Sequence, residues 1–210
     1  NLPVRDIKKK VLNQSLRSEV KSLISKNTYK INDKKLPLEV ATLLSQGKLV
    51  AWFQGSMEAG PRALGNRSIL ADPRSQESLD RVNRKVKFRQ PWRPFCPSVM
   101  DEYKDEYFKK ATQSQFMINT FDVTPKGVKS LPAIVHVDKT ARPQFLKKIH
   151  NPLFYDLLSN FNKITGVPVL LNTSLNIKGE PICMTPEDAI NFFFATDIDI
   201  LVMGNWICSK

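Results

Sequence analysis

Residues 55–100 read GSMEAGPRALGNRSILADPRSQESLDRVNRKVKFRQPWRPFCPSVM, so a loop with two arginines precedes a basic run and a proline-rich exit. Gly60 and Gly65 permit positive φ values, and the proline before Arg62 fixes the backbone there. The loop can therefore present backbone N–H groups and guanidinium groups to one bound anion. Arg62 and Arg67 are planar donors that suit phosphate or carboxylate. A surface turn with solvated arginines is the alternative.

The basic run after this loop has the pattern of a helix. Leu79, Val82 and Val86 form one apolar stripe, and Asp72 or Ser75 can begin the helix. Six cations follow the stripe on other faces or at the helix end: Arg81, Arg84, Lys85, Lys87, Arg89 and Arg93. A solvated basic face explains some of these cations. Arginines placed among rigidifying prolines and aromatic residues favour an anion-binding site.

Outside this stretch, the pattern predicts an α/β domain with a mixed sheet and helices against it. Predicted helices cover residues 38–46, a segment that begins at Asn151 with the stripe Leu153, Leu157 and Phe161, and a segment that Thr185 begins. Predicted strands cover residues 48–54, 115–123, 133–137, 167–171 and 198–203, and residues 124–132 are predicted to be a loop. His136 falls in the predicted strand over residues 133–137, and Arg142 falls in the loop after that strand. The strand over residues 167–171 should deliver Asn172, Thr173 and Ser174 to the edge of the sheet.

Composition and charge limit the classes of function. The chain has 210 residues and 41% hydrophobic residues, which is enough for one sizeable core. No apolar run is long enough to span a bilayer, so we expect a soluble, cytoplasmic protein with no membrane partner. Three widely separated cysteines predict neither a disulfide framework nor a zinc site, and the two histidines have no neighbouring ligand cluster. We therefore expect no metal site.

The basic charge is concentrated at the start of the chain. Residues 1–35 hold ten Lys/Arg and three Asp/Glu, and so contribute +7 of the net +12. A helix over residues 6–24 with an imperfect stripe is predicted there, and we interpret residues 1–35 as a connector to an upstream domain. A basic arm for RNA is the weaker interpretation, because Tyr29 is the only aromatic residue in it that could stack on a base.

Five ordered blocks carry a family resemblance. They are GSMEAGPRALGNRSILADPR, RVNRKVKFRQPWRPFCPSV, HVDKTARPQ, PVLLNTSLNIKGEPI and TPEDAINFFFATDIDILVMGN, at residues 55–74, 81–99, 136–144, 168–182 and 185–205. The chain from about residue 36 onward resembles the C-terminal domain of the O-carbamoyltransferases of antibiotic and nodulation-factor biosynthesis. That resemblance implies a YrdC-like fold, a twisted mixed sheet flanked by helices, with residues 36–210 as the domain.

The resemblance also implies a function and a site. The domain would form carbamoyladenylate from carbamoyl phosphate and ATP, with Mg²⁺ expected beside the ATP phosphates, and an N-terminal domain would transfer the carbamoyl group to a hydroxyl acceptor. By motif position, the catalytic residues would be Arg62 and Lys87, and the substrate-binding residues would be Arg62, Lys87, Arg93, Arg142, Asn172 and Ser174. Arg67, Arg89 and His136 are second-rank candidates.

Several alternatives stay open. The iron-binding N-terminal module of that family has no counterpart in these residues, so no iron site is expected on this chain. A YrdC-like module that binds RNA or a nucleotide without turnover is the competing hypothesis, although nucleic acid is not the expected partner. A homodimer and the identity of the final acceptor are also left open.

Overall fold

The computed structural model describes residues 27–210, and strands form their framework. The predicted connector helix over residues 6–24 lies outside this range. In chain order the strands are β1 (Thr28–Lys30), β2 (Val50–Phe53), β3 (Arg67–Ala71), β4 (Cys96–Met100), β5 (Phe121–Asp122), β6 (Thr140–Ala141), β7 (Gln144–Leu146), β8 (Val169–Ser174), β9 (Ile200–Met203) and β10 (Trp206–Ser209). The pair β5 and β6 forms a small separate sheet.

Eight of these strands form one mixed sheet in the order β1-β10-β9-β2-β3-β8-β4-β7. The pairs β2–β9 and β4–β7 are parallel, and the other neighbours in the sheet are antiparallel. Strands β2, β3 and β4 are buried along their whole length. The predicted α/β class with a mixed sheet is confirmed.

Within residues 27–210, six α-helices with described bounds lie among these strands. They are α1 (Leu36–Ser45), α2 (Gln76–Arg81), α3 (Lys104–Tyr107), α4 (Pro125–Ser130), α5 (Pro152–Thr165) and α6 (Pro186–Ala195). A π-helical turn, Val82–Val86, continues α2, and a 3-10 turn, Asp101–Tyr103, precedes α3. Helix α1 packs against α5. Helix α1 contributes leucine side chains to the core, and α5 contributes leucine and phenylalanine side chains.

The helices with clear capping residues form where the sequence predicts them. Asn151 Oδ1 accepts from the N–H of Phe154 at the start of α5, and Gly166 ends this helix at φ +73°. Thr185 begins α6 through a reciprocal capping box. Ser75, rather than Asp72, caps α2. The predictions of these helix ends are confirmed. They could be made from the sequence because each end depends only on neighbouring residues.

The predictions for residues 115–123 and 133–137 are wrong. Only Phe121–Asp122 is a strand in the first segment, and Met117 there has φ +55°, which interrupts an extended chain. In the second, turns lie on both sides of His136, and Val137 is 99% exposed. Both segments are rich in apolar residues, but only Phe121 and Asp122 meet a partner strand, which is β6. The loop predicted between them contains α4, which Thr124 caps by accepting from the N–H of Gly127.

Strand β8 is longer than predicted and lies inside the sheet. Asn172, Thr173 and Ser174 belong to the strand itself and pair with β3, while Asn172 also lies opposite Cys96 of β4. The predicted strand ended at residue 171, so these three residues lie within the strand and not after it. They lie at the carboxyl end of an interior strand, where neighbouring strands bring other groups close to them.

Candidate anion-binding site

The arginine loop connects β2 to β3, and a glutamate inside it takes up its backbone donors. The Glu58 carboxylate accepts from the N–H groups of Leu64, Asn66 and Arg67 at 2.8, 3.0 and 3.1 Å. Burial raises the pKa of Glu58, although these three donors oppose the rise. We expected the N–H groups of this loop to face a ligand. The structure corrects this expectation for these three, because Glu58 already occupies them.

Gly65 lets the loop pack tightly onto α5. A Cβ at this position would lie 2.3 Å from the Phe154 ring, and the residue has φ +110°. Its carbonyl accepts from the Trp52 indole N–H at 2.8 Å. Gly60 also has a positive φ, +97°, but open space surrounds it. Gly65 is therefore needed for close approach as well as for its backbone conformation.

A buried chain of polar side chains fixes the next part of the loop. Asn172 Nδ2 donates to the carbonyl of Ala63 at 3.2 Å and to Ser98 Oγ at 2.9 Å. Ser98 Oγ donates to Gln144 Oε1 at 2.7 Å, and Gln144 Nε2 donates to the carbonyl of Leu64 at 3.0 Å. Strands β8, β4 and β7 thus hold the two residues that follow Arg62. The position of Arg62 is set by the sheet rather than by the loop alone.

The second group of arginines is organised by Asn83, which is fully buried in the π-helical turn. Its Nδ2 donates to the carbonyls of Pro91 and Arg93 at 3.0 and 2.9 Å. Its Oδ1 accepts from Arg89 Nε at 2.7 Å, and the Arg89 guanidinium lies 4.3 Å from the centre of the Phe95 ring. Burial and the charge of Arg93 lower the pKa of Arg89 to about 10. One side chain therefore shapes the loop that carries both arginines.

These two loops meet β4, β8 and the segment between β6 and β7 in one pocket of about 60 Å³. Its lining residues are Pro61, Arg62, Ala63, Arg89, Arg93, Pro94, Phe95, Cys96, Met117, Arg142, Asn172, Thr173 and Ser174. Four of them are arginines, and this lining, which lies within residues 27–210, contains no Asp or Glu. The ion pairs of the described residues also involve none of the four. Uncompensated guanidinium groups that converge in this way form a site for an anion.

Cys96 is the remaining titratable residue of the pocket lining. Burial raises the pKa of its thiol, and the nearby charges of Arg142, Arg62 and Arg89 oppose that rise. Its backbone lies opposite Asn172 in the β4–β8 pair. The thiol is thus next to at least three of the arginines, although no motif selects Cys96 as a site residue.

Lys87 lies behind the end of β8 and is not among the residues that line the pocket. Its Nζ donates to the carbonyl of Ser174 and, at 3.2, 3.0 and 2.6 Å, to Ser174 Oγ, the carbonyl of Asn176 and Asn176 Oδ1. Burial, followed by the charge of Arg89, lowers the pKa of Lys87 well below its ordinary value. In this conformation Lys87 holds the residues that form one side of the pocket.

The structure brings five of the six first-rank candidates into the pocket lining: Arg62, Arg93, Arg142, Asn172 and Ser174. The sixth, Lys87, supports it from behind. Among the second-rank candidates, Arg89 lines the pocket, and Arg67 and His136 do not.

The side chains of Arg67 and His136 contact other groups of the protein, outside the pocket lining. The Arg67 guanidinium donates to the carbonyls of Gln54 and Gly55 at 2.5 and 3.2 Å and stacks 3.6 Å from the centre of the Phe53 ring. His136 Nδ1 lies 3.1 Å from Thr140 Oγ1. Burial lowers the pKa of His136, and the charge of Arg142 lowers it further.

Sequence reasoning missed several residues that build the site: Glu58, Asn83, Ser98, Gln144 and Asn176. Asn83 had a visible signal, because it shares the helix face of Leu79, Val82 and Val86 and is a polar residue on an apolar stripe. The others had none. Ser98, Gln144 and Asn176 contact residues that are far away in the chain, whereas Glu58 contacts its own loop.

The fold and the pocket define a mixed α/β domain with a basic site for a small anion, and comparison with known proteins gives its family. The chain belongs to the family described as carbamoyltransferase C-terminus, whose model matches residues 41–210. It is 44% identical over 173 residues to nodulation protein NolO of Bradyrhizobium diazoefficiens, covering 81% of this chain and 32% of NolO. It is 38% identical over 173 residues to the 3'-hydroxymethylcephem-O-carbamoyltransferase of Streptomyces clavuligerus, covering 81% and 33%.

The likeness extends to solved structures. The crystal structure of full-length HypF in the phosphate- and nucleotide-bound form matches with a TM-score of 0.56 and 20% identity, covering 81% of this chain and 25% of that one. This likeness shows the fold, which is YrdC-like as the resemblance implied. The chain spans about a third of the length of the curated relatives it matches.

Residues 27–210 contain neither a candidate membrane-spanning helix nor a candidate metal-binding cluster. No helix in this range is both long and apolar enough to cross a membrane. No group of three or more His, Cys, Asp or Glu residues in the same range is placed to hold a metal ion.

Proposed function

We propose that this domain binds carbamoyl phosphate and ATP and forms carbamoyladenylate, which an N-terminal domain passes to a hydroxyl acceptor. The observation that carries the proposal is the convergence of Arg62, Arg89, Arg93 and Arg142 in a pocket whose lining has no carboxylate. Membership of the carbamoyltransferase C-terminus family supports the choice of substrate class. A site that handles several phosphates requires such a preorganised set of cations.

The proposed reaction has two balanced steps. Water releases inorganic phosphate from carbamoyl phosphate and leaves carbamate. A carbamate oxygen then attacks the α-phosphorus of ATP, a new P–O bond forms, and pyrophosphate leaves with the electrons of the broken bond. Negative charge gathers on phosphate oxygens in both steps. Fixed guanidinium groups stabilise this charge without reorganising, and holding both substrates in one pocket removes the entropic cost of their meeting.

The proposed roles follow the positions of the side chains. Arg62, Arg93 and Arg142 bind phosphate and carbamoyl oxygens from the pocket wall, and Arg89 adds a fourth charge. Ser174 and the end of β8 contact the nucleotide or its phosphates. Lys87 and Arg62 were the predicted catalytic pair. From its observed position, Lys87 acts on the reaction by holding Ser174 and Asn176.

The size and chemistry of the pocket also bear on ATP and Mg²⁺. The pocket of about 60 Å³ is partly open to solvent, so the adenosine of ATP would lie along its open side while a phosphate group lies inside. Mg²⁺ prefers oxygen ligands, often carboxylates, and the pocket lining offers no carboxylate. These residues therefore do not fit Mg²⁺ as protein ligands.

The test is carbamoyl-phosphate-dependent exchange of labelled pyrophosphate into ATP by the 210-residue chain. Arg62→Ala should lower the exchange rate by about 100-fold, as the loss of one preorganised charge-stabilising donor does in other enzymes. Lys87→Ala should also lower the rate. Arg84→Ala is the matched control, because Arg84 is exposed and does not line the pocket.

The exchange result separates the two hypotheses. Exchange that both variants lose and the control keeps would support the enzyme. A folded chain that shows no exchange, but binds RNA with an affinity that falls steeply as salt rises, would instead support the binding module.

A further inference from the structure

Two buried polar atoms that lack a partner belong to the pocket. Five buried side-chain nitrogen or oxygen atoms have no hydrogen-bond partner among the described residues, and two of them are Arg142 Nε and Asn172 Oδ1. Both residues line the pocket, and Asn172 is 1% exposed. A buried donor or acceptor without a partner is costly, so native proteins seldom keep one that no ligand uses. The pair consists of one donor and one acceptor.

The polar chain behind the pocket fixes which end of the Asn172 amide is the acceptor. Gln144 Nε2 must donate to the carbonyl of Leu64, so Gln144 Oε1 accepts from the Ser98 hydroxyl. The Ser98 oxygen then accepts from Asn172 Nδ2, which also donates to the carbonyl of Ala63. Rotating the amide by half a turn would place Oδ1 against the Ala63 carbonyl oxygen. Oδ1 is therefore held as an acceptor.

Asn172 and Arg142 both lie beside Cys96. Asn172 of β8 lies opposite Cys96 of β4, so both side chains leave the same face of the sheet. Arg142 is close enough to Cys96 for its charge to oppose the burial-driven rise in the pKa of the thiol. The four arginines supply only donors. An ionised phosphate oxygen is itself an acceptor, so it cannot hydrogen-bond to the neutral acceptor that Asn172 holds among these cations.

We propose that Asn172 Oδ1 accepts a hydrogen bond from the amino group of carbamoyl phosphate, and so selects a carbamoyl group over an acyl group that lacks N–H. A carbamoyl group has an amino donor and a carbonyl acceptor on one carbon, which matches the free oxygen of Asn172 and the free N–H of Arg142. The inference rests on the proposed function, because the phosphate must be held by the four arginines. It adds the residue that recognises the nitrogen.

The experiment compares two stable phosphonates that differ at one group. Phosphonoacetamide carries the amino group, and 2-oxopropylphosphonate carries a methyl group in its place. Isothermal titration of the 210-residue chain should show that phosphonoacetamide binds roughly 5- to 150-fold more tightly, the range expected when a buried acceptor is left unpaired. Asn172→Leu should bind both with nearly equal affinity.

Each result decides between the proposals. Equal affinity of the wild-type chain for the two phosphonates would overturn the role of Asn172 and leave the proposed function standing, and this measurement does not depend on whether any variant folds. No binding of either phosphonate by a folded wild-type chain would overturn both proposals. A preference that persists in a folded Asn172→Leu protein would show that another group recognises the nitrogen.

Discussion

Replacing Glu58 by alanine should loosen the arginine loop by a calculable amount. The substitution removes three hydrogen bonds that the carboxylate accepts from backbone N–H groups, at 2.8, 3.0 and 3.1 Å. A bond of this kind contributes about 1 kcal/mol or more, and we use the low value because burial raises the pKa of Glu58 and so offsets part of the gain. Glu58→Ala should therefore lower the free energy of unfolding by about 3 kcal/mol. For a domain of this size the Tm should fall by about 6–12 °C.

Glu58→Gln should have a smaller effect, because it keeps one carboxamide oxygen for Leu64 and Asn66. Its NH₂ group would face the N–H of Arg67, so we expect a loss of about 1–2 kcal/mol. Urea unfolding measures both variants, and Glu77→Gln is the control at an exposed glutamate in α2. The same proteins should bind pyrophosphate more weakly than wild type. A Glu58→Ala protein with wild-type stability and wild-type pyrophosphate affinity would refute this account of the loop.

Three further predictions concern other parts of the site. Gly65→Ala should lower the free energy of unfolding by about 2–5 kcal/mol, because the residue has a positive φ and its Cβ would overlap the Phe154 ring. Gly60→Ala should lower it by only about 1–3 kcal/mol, the cost of the backbone strain. Equal losses in urea unfolding would contradict the packing argument. Because the pKa of His136 is lowered in the folded chain, the unfolded chain binds this proton first, and the free energy of unfolding should fall as the pH drops below about 6.5. His136→Gln should reduce that fall relative to the control His150→Gln. Urea titrations at pH 7.5 and 5.5 measure the difference. Lys87→Met should weaken pyrophosphate binding about tenfold, because the end of β8 loses its buried donor; unchanged affinity by calorimetry would show that this brace is not needed.

The candidate site could be predicted in part from motif positions. Arg62, Arg93 and Arg142 were selected because each sits beside a proline or glycine in a matching motif, and the structure places all three in one pocket. Arg67 is a second-rank candidate from the same motif as Arg62, and it turns the other way, towards the carbonyls of Gln54 and Gly55. A loop motif identifies a residue type. It does not determine which side of the loop faces the pocket.

The errors in the fold prediction also have a physical origin. Residues 115–123 and 133–137 have the apolar content of strands, but a strand forms only where another strand supplies hydrogen-bond partners. The short strands β1, β7 and β10 were not predicted, because only three or four residues of each meet a neighbour in register. Pairing of this kind depends on distant parts of the chain.

The sequence by itself determined the features that consecutive residues encode. These are the capped starts of α5 and α6, the glycine that ends α5, the apolar stripe of α2 and the basic character of the two arginine loops. Each depends on contacts within a few residues, so it can be seen in one stretch. Only the tertiary structure decided that four arginines converge without a carboxylate, that Glu58 occupies the donors of its own loop and that the Asn172 oxygen is left free. Those features depend on the strand order β3-β8-β4-β7 or on side-chain rotation, and neither is encoded by a local pattern.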